Sequence, residues 1–312
     1  MAREITKEEK EFLRKYDPSK YDRPSLTADV AVFSILSGAE PAEGEERKEY
    51  RRDPRQKLGV LLVKRSGFPY KDCWALPGGF AEKGETIRET ALRELKEETG
   101  VDSAWLNPVG LFSRPGRDPR GWIVSQAFLA LVDAEKCSVE AGDDAGEAAW
   151  FVFDVQKKER KKSVKKNVAE VRTRYRMNLT NAGIGIIISA DVEEIRTFSN
   201  QHESISWQIL EDEGLAFDHA EILIRAFQSL YERADYLHAD AGRIIFDLMP
   251  EKFTLYSLQE AYEIVRGEKL ITPNFRRKIA PYVRETGEVT SGAGHRPARL
   301  FKRNLDAFYG VG

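Results

Sequence analysis

The chain has 312 residues, enough for two domains or one large one, and with 41% hydrophobic and 32% charged residues it is too apolar for a disordered chain and charge-rich for a simple enzyme. A formal net charge of −2 makes any attraction to a charged partner a local matter. Two cysteines, Cys73 and Cys137, exclude a disulfide framework and are expected as isolated thiols; no signal peptide precedes residue 30 and no apolar run nears membrane length, so a cytoplasmic, soluble protein is expected.

After a charged start, SLTADVAVFSIL (25–36) reads as a strand. Residues 37–56 are polar, rich in both charge signs, and read as an inserted loop. KLGVLLVKR (57–65) has the composition of a buried strand, and DCWALPGGF leads into a helix. That helix has a T-x-x-E capping box at Thr86 and Glu89, no Gly or Pro from 87 to 98, and Gly100 to stop it. Ile87, Ala91 and Leu95 form its apolar stripe, widened by Leu92. Glu98 falls between Ile87 and Ala91 on the helical wheel and Glu94 lies beside Ile87, with Glu97 further round. Like charges four residues apart at the negative end of a helix repel each other and oppose the macrodipole. A divalent cation would reverse both penalties; a solvated acidic face is the alternative.

NPVGLFSR, GWIVSQAFLALV and EAAWFVFDV supply further strands, which makes residues 22–155 an α/β sandwich. Residues 156–217 contain the basic run KKERKKSVKK and two alternating segments, VAEVRTRYRMNL and GIGIIISADV, read as an inserted β-hairpin with a basic tip. The tip is either a solvated decoration or a contact for nucleic acid or a partner.

From Asp218 the periodicity becomes helical. The first helix has a D-x-x-E box at Asp218 and Glu221; SLQEAYEIVRG is expected to be capped by Ser257 and Glu260 and closed by Gly267; TPNFRRKIAPYV has Thr272 as N-cap and Pro273 at N1. Pro281 makes this last helix either kinked or short. EVT, a glycine-bearing loop and ARLFKRN complete a winged helix-turn-helix pattern. Between Asn274 and Arg303 eight basic residues face two acids. Phe275, Ile279 and Val283 would anchor the third helix and turn Arg276, Arg277 and Lys278 outward, as a recognition helix does towards a major groove, with Arg296 and Arg299 on the wing.

Gly79, Glu85 and the run Arg93-Glu94-Leu95-Lys96-Glu97-Glu98-Thr99-Gly100-Val101 match every fixed position of the Nudix box, and the chain resembles the Nudix family. The resemblance implies a mixed sheet between helices and hydrolysis of a nucleoside diphosphate linked to another moiety. It implies Mg²⁺ or Mn²⁺ held by Glu94, Glu97 and Glu98, which also act as the catalytic acids. Gly79 would shape the approach to the helix, Glu85 and Arg93 would form a structural pair, and Gly100 would end the box.

The segments RPGRDPRGW (114–122), AGDDAGEAAWF (141–151), LAFDHAEIL (215–223), EKFTL (251–255), NFRRKI (274–279) and HRPARLF (295–301) are similar to Nudix-related transcriptional regulators of NAD metabolism and to ADP-ribose pyrophosphatases. The division expected from this is a Nudix domain at 22–217, with insertions 37–56 and 156–214, and a winged-helix domain at 218–312. Arg114, Arg117, Asp118 and Arg120 are candidate substrate contacts. The general base is Glu94 or one of Asp143, Asp144 and Glu147. Phe80 and Trp122 are candidates to stack on adenine, with core packing favoured for Trp122; His219 reads as a capping-turn residue. Asn274, Arg276, Arg277, Lys278, Arg296 and Arg299 are the DNA-binding candidates, and a homodimer is expected. Three functions follow: an ADP-ribose pyrophosphohydrolase with a DNA-binding-like tail, which the complete box favours, a regulator whose Nudix domain senses the ligand, or a hydrolase whose tail is only a dimerisation element.

Overall fold

The computed structural model describes residues 5–36, 56–102, 104–134, 147–199, 202–234, 242–290 and 297–309. The expected insert at 37–56, all but its last residue, lies outside the described residues, as do Cys137, Asp143, Asp144 and Arg296. A first helix, α1 (Lys7–Lys15), has a complete Thr6–Glu9 capping box and buries no residue. It lies within the charged start of the chain.

The sheet is organised on β1 (Ser25–Leu36), which is apolar at both alternating sets of positions. Ala28, Val30 and Val32 pack with Ala91 and Leu95 of α2 (Ile87–Thr99), while Ala31 and Phe33 face a larger core on the other side. β1 runs parallel to β6 (Ile123–Leu131), which pairs antiparallel with the edge strand β5 (Trp105–Phe112).

On its other edge β1 pairs with β2 (Lys57–Lys64) only from Val32 onward. At Thr27–Asp29 that edge is taken by β4 (Gly78–Phe80), while β2 turns to β3 (Trp74–Ala75). Pro77 bridges the fork, its carbonyl accepting the Val30 N–H at 2.8 Å. Separated strand ends leave room for a cleft in the sheet.

Instead of one inserted hairpin, four long strands extend the sheet beyond β2: β7 (Glu147–Lys165), β8 (Val168–Asn181), β9 (Ile186–Ser199) and β10 (Glu203–Glu213). Each alternates apolar and polar residues, so Met177, Leu179, Ile188, Ala190 and Val192 enter the larger core. On the opposite face Arg172 bonds Glu193 at 3.0 Å, and Arg174 and Arg176 bond Asp191. β10 returns the chain to β3, where Trp74 N–H donates to Gly214 O at 2.9 Å and Ala216 N–H to Trp74 O at 2.8 Å. This return places residues 217–219 at the fork.

Helix α3 (His219–Arg233) packs on β5, β6, β9 and β10. Its expected capping box is absent, because the Asp218 carboxylate is engaged elsewhere. α4 (Leu255–Arg266) starts two residues ahead of the expected Ser257 cap and is capped by a Thr254–Ser257 box, ending at Gly267 with φ 64°. α5 (Thr272–Ile279) takes Thr272 into the helix, leaving Ile271 at the N-cap. It is short: Pro281 falls in a 3-10 turn after its end, and Val283, expected as a third anchor of this helix, begins a strand instead. β11 (Val283–Val289) and β12 (Arg299–Arg303) form the wing, followed by α6 (Leu305–Tyr309). The architecture is thus an α/β/α sandwich with a mixed sheet, followed by a winged helix. No helix among the described residues is long and apolar enough to cross a membrane.

Two adjacent glycines in β4 make a test of the fork. A methyl group on Gly78 would lie 2.1 Å from the Ala28 carbonyl oxygen, at φ 156°, whereas the nearest atoms to one on Gly79 belong to the Glu94 carboxylate, at 2.4 Å. Urea unfolding should show Gly78→Ala losing at least about 1 kcal/mol and Gly79→Ala much less. Equal losses would contradict this account of the fork.

Candidate functional site

The fork opens into a cleft of about 310 Å³ whose walls include Asp29, Arg65, Phe80, Glu98, Arg120 and His219. Its floor is a buried polar cluster. Arg117 donates to both Asp218 oxygens, at 2.9 and 2.6 Å, and reaches Asp29 Oδ2 at 3.4 Å. Ser125 Oγ also donates to Asp29, at 2.5 Å. His219 Nδ1 accepts the Leu76 N–H at 2.9 Å, and its Nε2 is 3.7 Å from Asp29 Oδ1. Burial lowers the His219 pKa against the opposing pull of Asp29, so the ring is neutral. With Nδ1 accepting, the proton sits on Nε2, facing Asp29.

Two guanidinium groups and two aromatic rings form the rim. Arg65 lies 4.9 Å from the centre of the Phe217 ring, and Arg120 lies 5.1 Å from Phe80 and 5.4 Å from Phe217. Burial and the nearby Arg120 lower the Arg65 pKa, as expected for two cations sharing a partly desolvated site. Asp118 holds Arg120, accepting its backbone N–H at 2.9 Å and Nη2 at 2.7 Å.

The four candidate substrate contacts therefore occupy different environments. Arg120 stands on the rim, Asp118 is buried beneath it, and Arg117 is 4% exposed with its guanidinium occupied by carboxylates. Arg114 is outside the cleft lining, bonded to Trp207 O at 3.3 Å and 3.5 Å from Glu221. Trp122 is 57% exposed, which corrects its reading as core, and it does not line the cleft. His219 is a buried cleft residue and not a mere capping-turn residue. Glu147 begins β7 and lies 3.9 Å from Lys64, so it is not a loop carboxylate. Asp29, Arg65, Phe217 and His219 complete the cleft without having been singled out as site residues from sequence; the signal was their convergence through β1, β2 and the return of β10.

The acidic helix carries its capping box and stops at Gly100, which adopts φ 73°. Its hub is Arg93. Nε bonds Glu85 at 2.7 Å, Nη1 bonds Glu94 at 2.8 Å and Glu97 at 3.1 Å, and Nη2 bonds the Phe80 carbonyl at 3.0 Å. Glu85 also accepts from Glu82 N–H and Thr90 Oγ1; these bonds, with Arg93 foremost, hold its pKa down at about 2. Glu97 is exposed. Glu98 turns into the cleft wall, accepting the Gly78 N–H at 2.9 Å. Burial, reinforced by Glu94 and Asp29, pushes its pKa up to about 8; burial also raises Glu94, against the pull of Arg93. Among the described residues no three metal-ligating side chains converge closely enough to hold an ion as they stand.

On α5, Phe275 and Ile279 are buried and Asn274, Arg276, Arg277 and Lys278 are exposed. Neighbouring cations are paired: Lys252 with Glu288, Arg284 with Asp306, Arg299 with Glu285 and Arg303 with Asp247. Arg276 and Arg277 have no carboxylate partner among the described residues.

A mixed sheet between helices, with an acid-bearing helix at a forked strand pair, defines a Nudix domain, here followed by a winged helix. Models of two families match: the NUDIX domain over residues 50–171 and the NrtR DNA-binding winged helix domain over residues 245–302. The chain belongs to the Nudix family. It is 29% identical over 306 residues to an ADPR responsive transcriptional repressor of Acinetobacter baylyi, covering 96% of this chain and 90% of that one. It is 48% identical over 142 residues to an ADP-ribose pyrophosphatase of Methanocaldococcus jannaschii, covering 46% of this chain and 72% of that one. Among solved structures, a MutT/nudix family protein from Enterococcus faecalis matches with TM-score 0.61 at 25% identity, over 97% of this chain and all of that one. Shewanella oneidensis NrtR matches in fold, with TM-score 0.56 at 23% identity over 91% and 96% of the two chains.

The raised Glu98 pKa sets a pH dependence. In the folded state Glu98 keeps its proton up to about pH 8, against about 4.5 for the ordinary carboxyl, so the folded state binds more protons between these values. The contribution is full below pH 4.5 and is lost as pH rises to about 8. With a chelator present, the stability of wild type relative to Glu98→Gln should fall across that window, measured by urea unfolding at each pH. A difference independent of pH would contradict the burial of a titrating Glu98.

Proposed function

We propose that the protein is a DNA-binding transcriptional regulator whose Nudix domain binds ADP-ribose or a related nucleoside diphosphate derivative. The carrying observation is the resemblance to the Acinetobacter repressor across both domains, whereas the similarity to the pyrophosphatase covers less than half of this chain. The geometry supports the same reading. α5 presents Arg276 and Arg277 with no carboxylate partner among the described residues, and Asn274 and Lys278 beside them, as residues for phosphates and base edges. Arg299 and Arg296 are assigned to the wing's contacts with the backbone. DNA read in half-sites favours a two-fold dimer.

In the cleft, Arg65 and Arg120 supply the positive charge that a pyrophosphate requires, and Phe80 and Phe217 supply faces for a base. Asp118 fixes Arg120, and Arg117 acts beneath the floor by holding Asp29 and Asp218 in place. Gly79 leaves space for Glu94, and the Glu85–Arg93 pair fastens the loop ahead of the helix. The packing of α3 on the sheet and a winged-helix match that begins at residue 245 favour a ligand-binding part that includes α3, beyond the boundary at 217 expected from the sequence.

Glu94, Glu97 and Glu98 fit a hard divalent cation, Mg²⁺ or Mn²⁺, in donor chemistry and charge: Glu98 and Glu94 are pushed up by burial, a penalty such a cation relieves. Arg93 now holds Glu94 and Glu97, so taking up an ion requires these two side chains to leave it. A bound ion would offset pyrophosphate charge and acidify a coordinated water. The complete box and the pyrophosphatase similarity favour a second reading, a pyrophosphohydrolase, with Glu94 as the carboxylate nearest to Gly79 available as general base.

One experiment tests both readings. Duplexes selected from a random pool are bound by the full chain, with and without ADP-ribose and Mg²⁺, and the nucleotide is recovered afterwards. A regulator binds selected DNA at low salt, loses about tenfold or more with Arg276→Ala and Arg277→Ala together, and changes affinity with ADP-ribose present. Intact ADP-ribose identifies a sensor; conversion to AMP and ribose 5-phosphate, lost in Glu98→Gln, establishes hydrolysis. Absence of DNA binding at low salt overturns the regulator reading.

A further inference from the structure

The β7–β8 hairpin carries a basic surface that the two domain functions leave unused. On β8, Arg172, Arg174 and Arg176 are each matched by Glu170, Glu193, Asp191 or Glu211. On the facing stretch of β7 and at the turn most cations have no such match. Lys157, Lys158, Arg160, Lys162, Lys165 and Lys166 are exposed and have no carboxylate partner among the described residues; Lys161 alone there pairs with a carboxylate, Glu159, at 3.0 Å. Six unneutralised cations thus lie within ten consecutive residues.

Their placement is informative. The register pairs Arg160 with Thr173 and Lys162 with Val171, which puts these two cations on the face towards α3 together with Lys157. Lys158 and Lys165 occupy the opposite face, and Lys166 sits at the turn. Lys166 has φ 54°, a conformation that glycine or asparagine adopts more readily, so the turn carries a charge at a position where local stability would choose otherwise. β7 pairs with β2 only up to Val152, and beyond it the outer edge has no partner strand among the described residues. Lysines alone guard exposed edges against pairing with another copy. That role does not call for cations on both faces and on the turn, a distribution that instead matches the repeating negative charge of a nucleic acid backbone.

We infer that the tip of the β7–β8 hairpin is a second DNA contact, holding the phosphate backbone of the duplex that α5 reads. The inference rests on the proposed role of α5 for its choice of polyanion. The contact is to phosphates and carries no sequence preference of its own.

The test uses the full chain and a 40-base-pair duplex of mixed sequence, with affinity measured by fluorescence anisotropy from low to moderate salt. The tip variant replaces Lys158, Arg160, Lys162, Lys165 and Lys166 with Gln, leaving Lys157 in its contact with Tyr175. A second variant carries Arg276→Ala and Arg277→Ala, and a third combines both sets. The tip variant should bind more weakly, and its plot of log K against log salt should flatten by roughly 0.9 for every phosphate contact removed. Unchanged unfolding temperature shows that the exposed substitutions leave the fold intact. Affinity and slope equal to wild type overturn the inference, whether or not the variant self-associates; self-association alone would assign the lysines to edge protection. Loss of binding to phosphatidylserine vesicles with DNA binding unchanged also overturns it. If the α5 variant binds like wild type while the tip variant is weakened, the tip contact stands and the role of α5 fails.

Discussion

The guanidinium of Arg117 is the constraint on which the cleft depends. It is 4% exposed and joins Asp29 of β1, Asp218 at the start of α3 and, through its own loop, the segment that carries Asp118 and Arg120. Breaking one side of such a buried pair leaves an uncompensated charge, so the three segments are held in place together. Asp29 in turn takes the Ser125 hydroxyl and faces the His219 ring, which fixes the Leu76 amide at the bottom of the fork. Arg117, a candidate substrate contact from the sequence, lines the cleft with its guanidinium buried among carboxylates.

That floor explains why the long meander does not disturb the cleft. Residues 147–213 leave the fork along β2 and return to β3, and only the return has to be accurate. The two hydrogen bonds between Trp74 and the chain at Gly214 and Ala216 set it, and Phe217 and His219 then line the cleft. Helix α3 then connects this floor to the winged helix, with which it shares one continuous apolar core. The Nudix and winged-helix parts are consequently packed on each other and not merely joined by a linker.

Local features were legible in the sequence. The Thr86–Glu89 box, the stop at Gly100 and the buried face of α5 depend on neighbours within one or two helical turns, and patterns at that range survive without tertiary information. Long-range partners were not. Leu76 and His219 are 143 positions apart, and Arg117 and Asp218 are 101 apart, so nothing in either neighbourhood marks them as a pair. The same cause defeated the Asp218–Glu221 box: a good capping residue was claimed by a buried arginine, a stronger partner than a helix amide. The β7–β10 meander was read as one hairpin because alternation identifies strands without fixing how many lie side by side.

The most direct measurement of this account is calorimetric titration of Asp218→Ala with ADP-ribose, together with its urea unfolding curve. The account predicts a loss of about 3–5 kcal/mol in stability, with ligand affinity at least tenfold weaker under conditions where the variant remains folded. Wild-type stability and affinity in that variant would show that the buried ion cluster does not hold the cleft together.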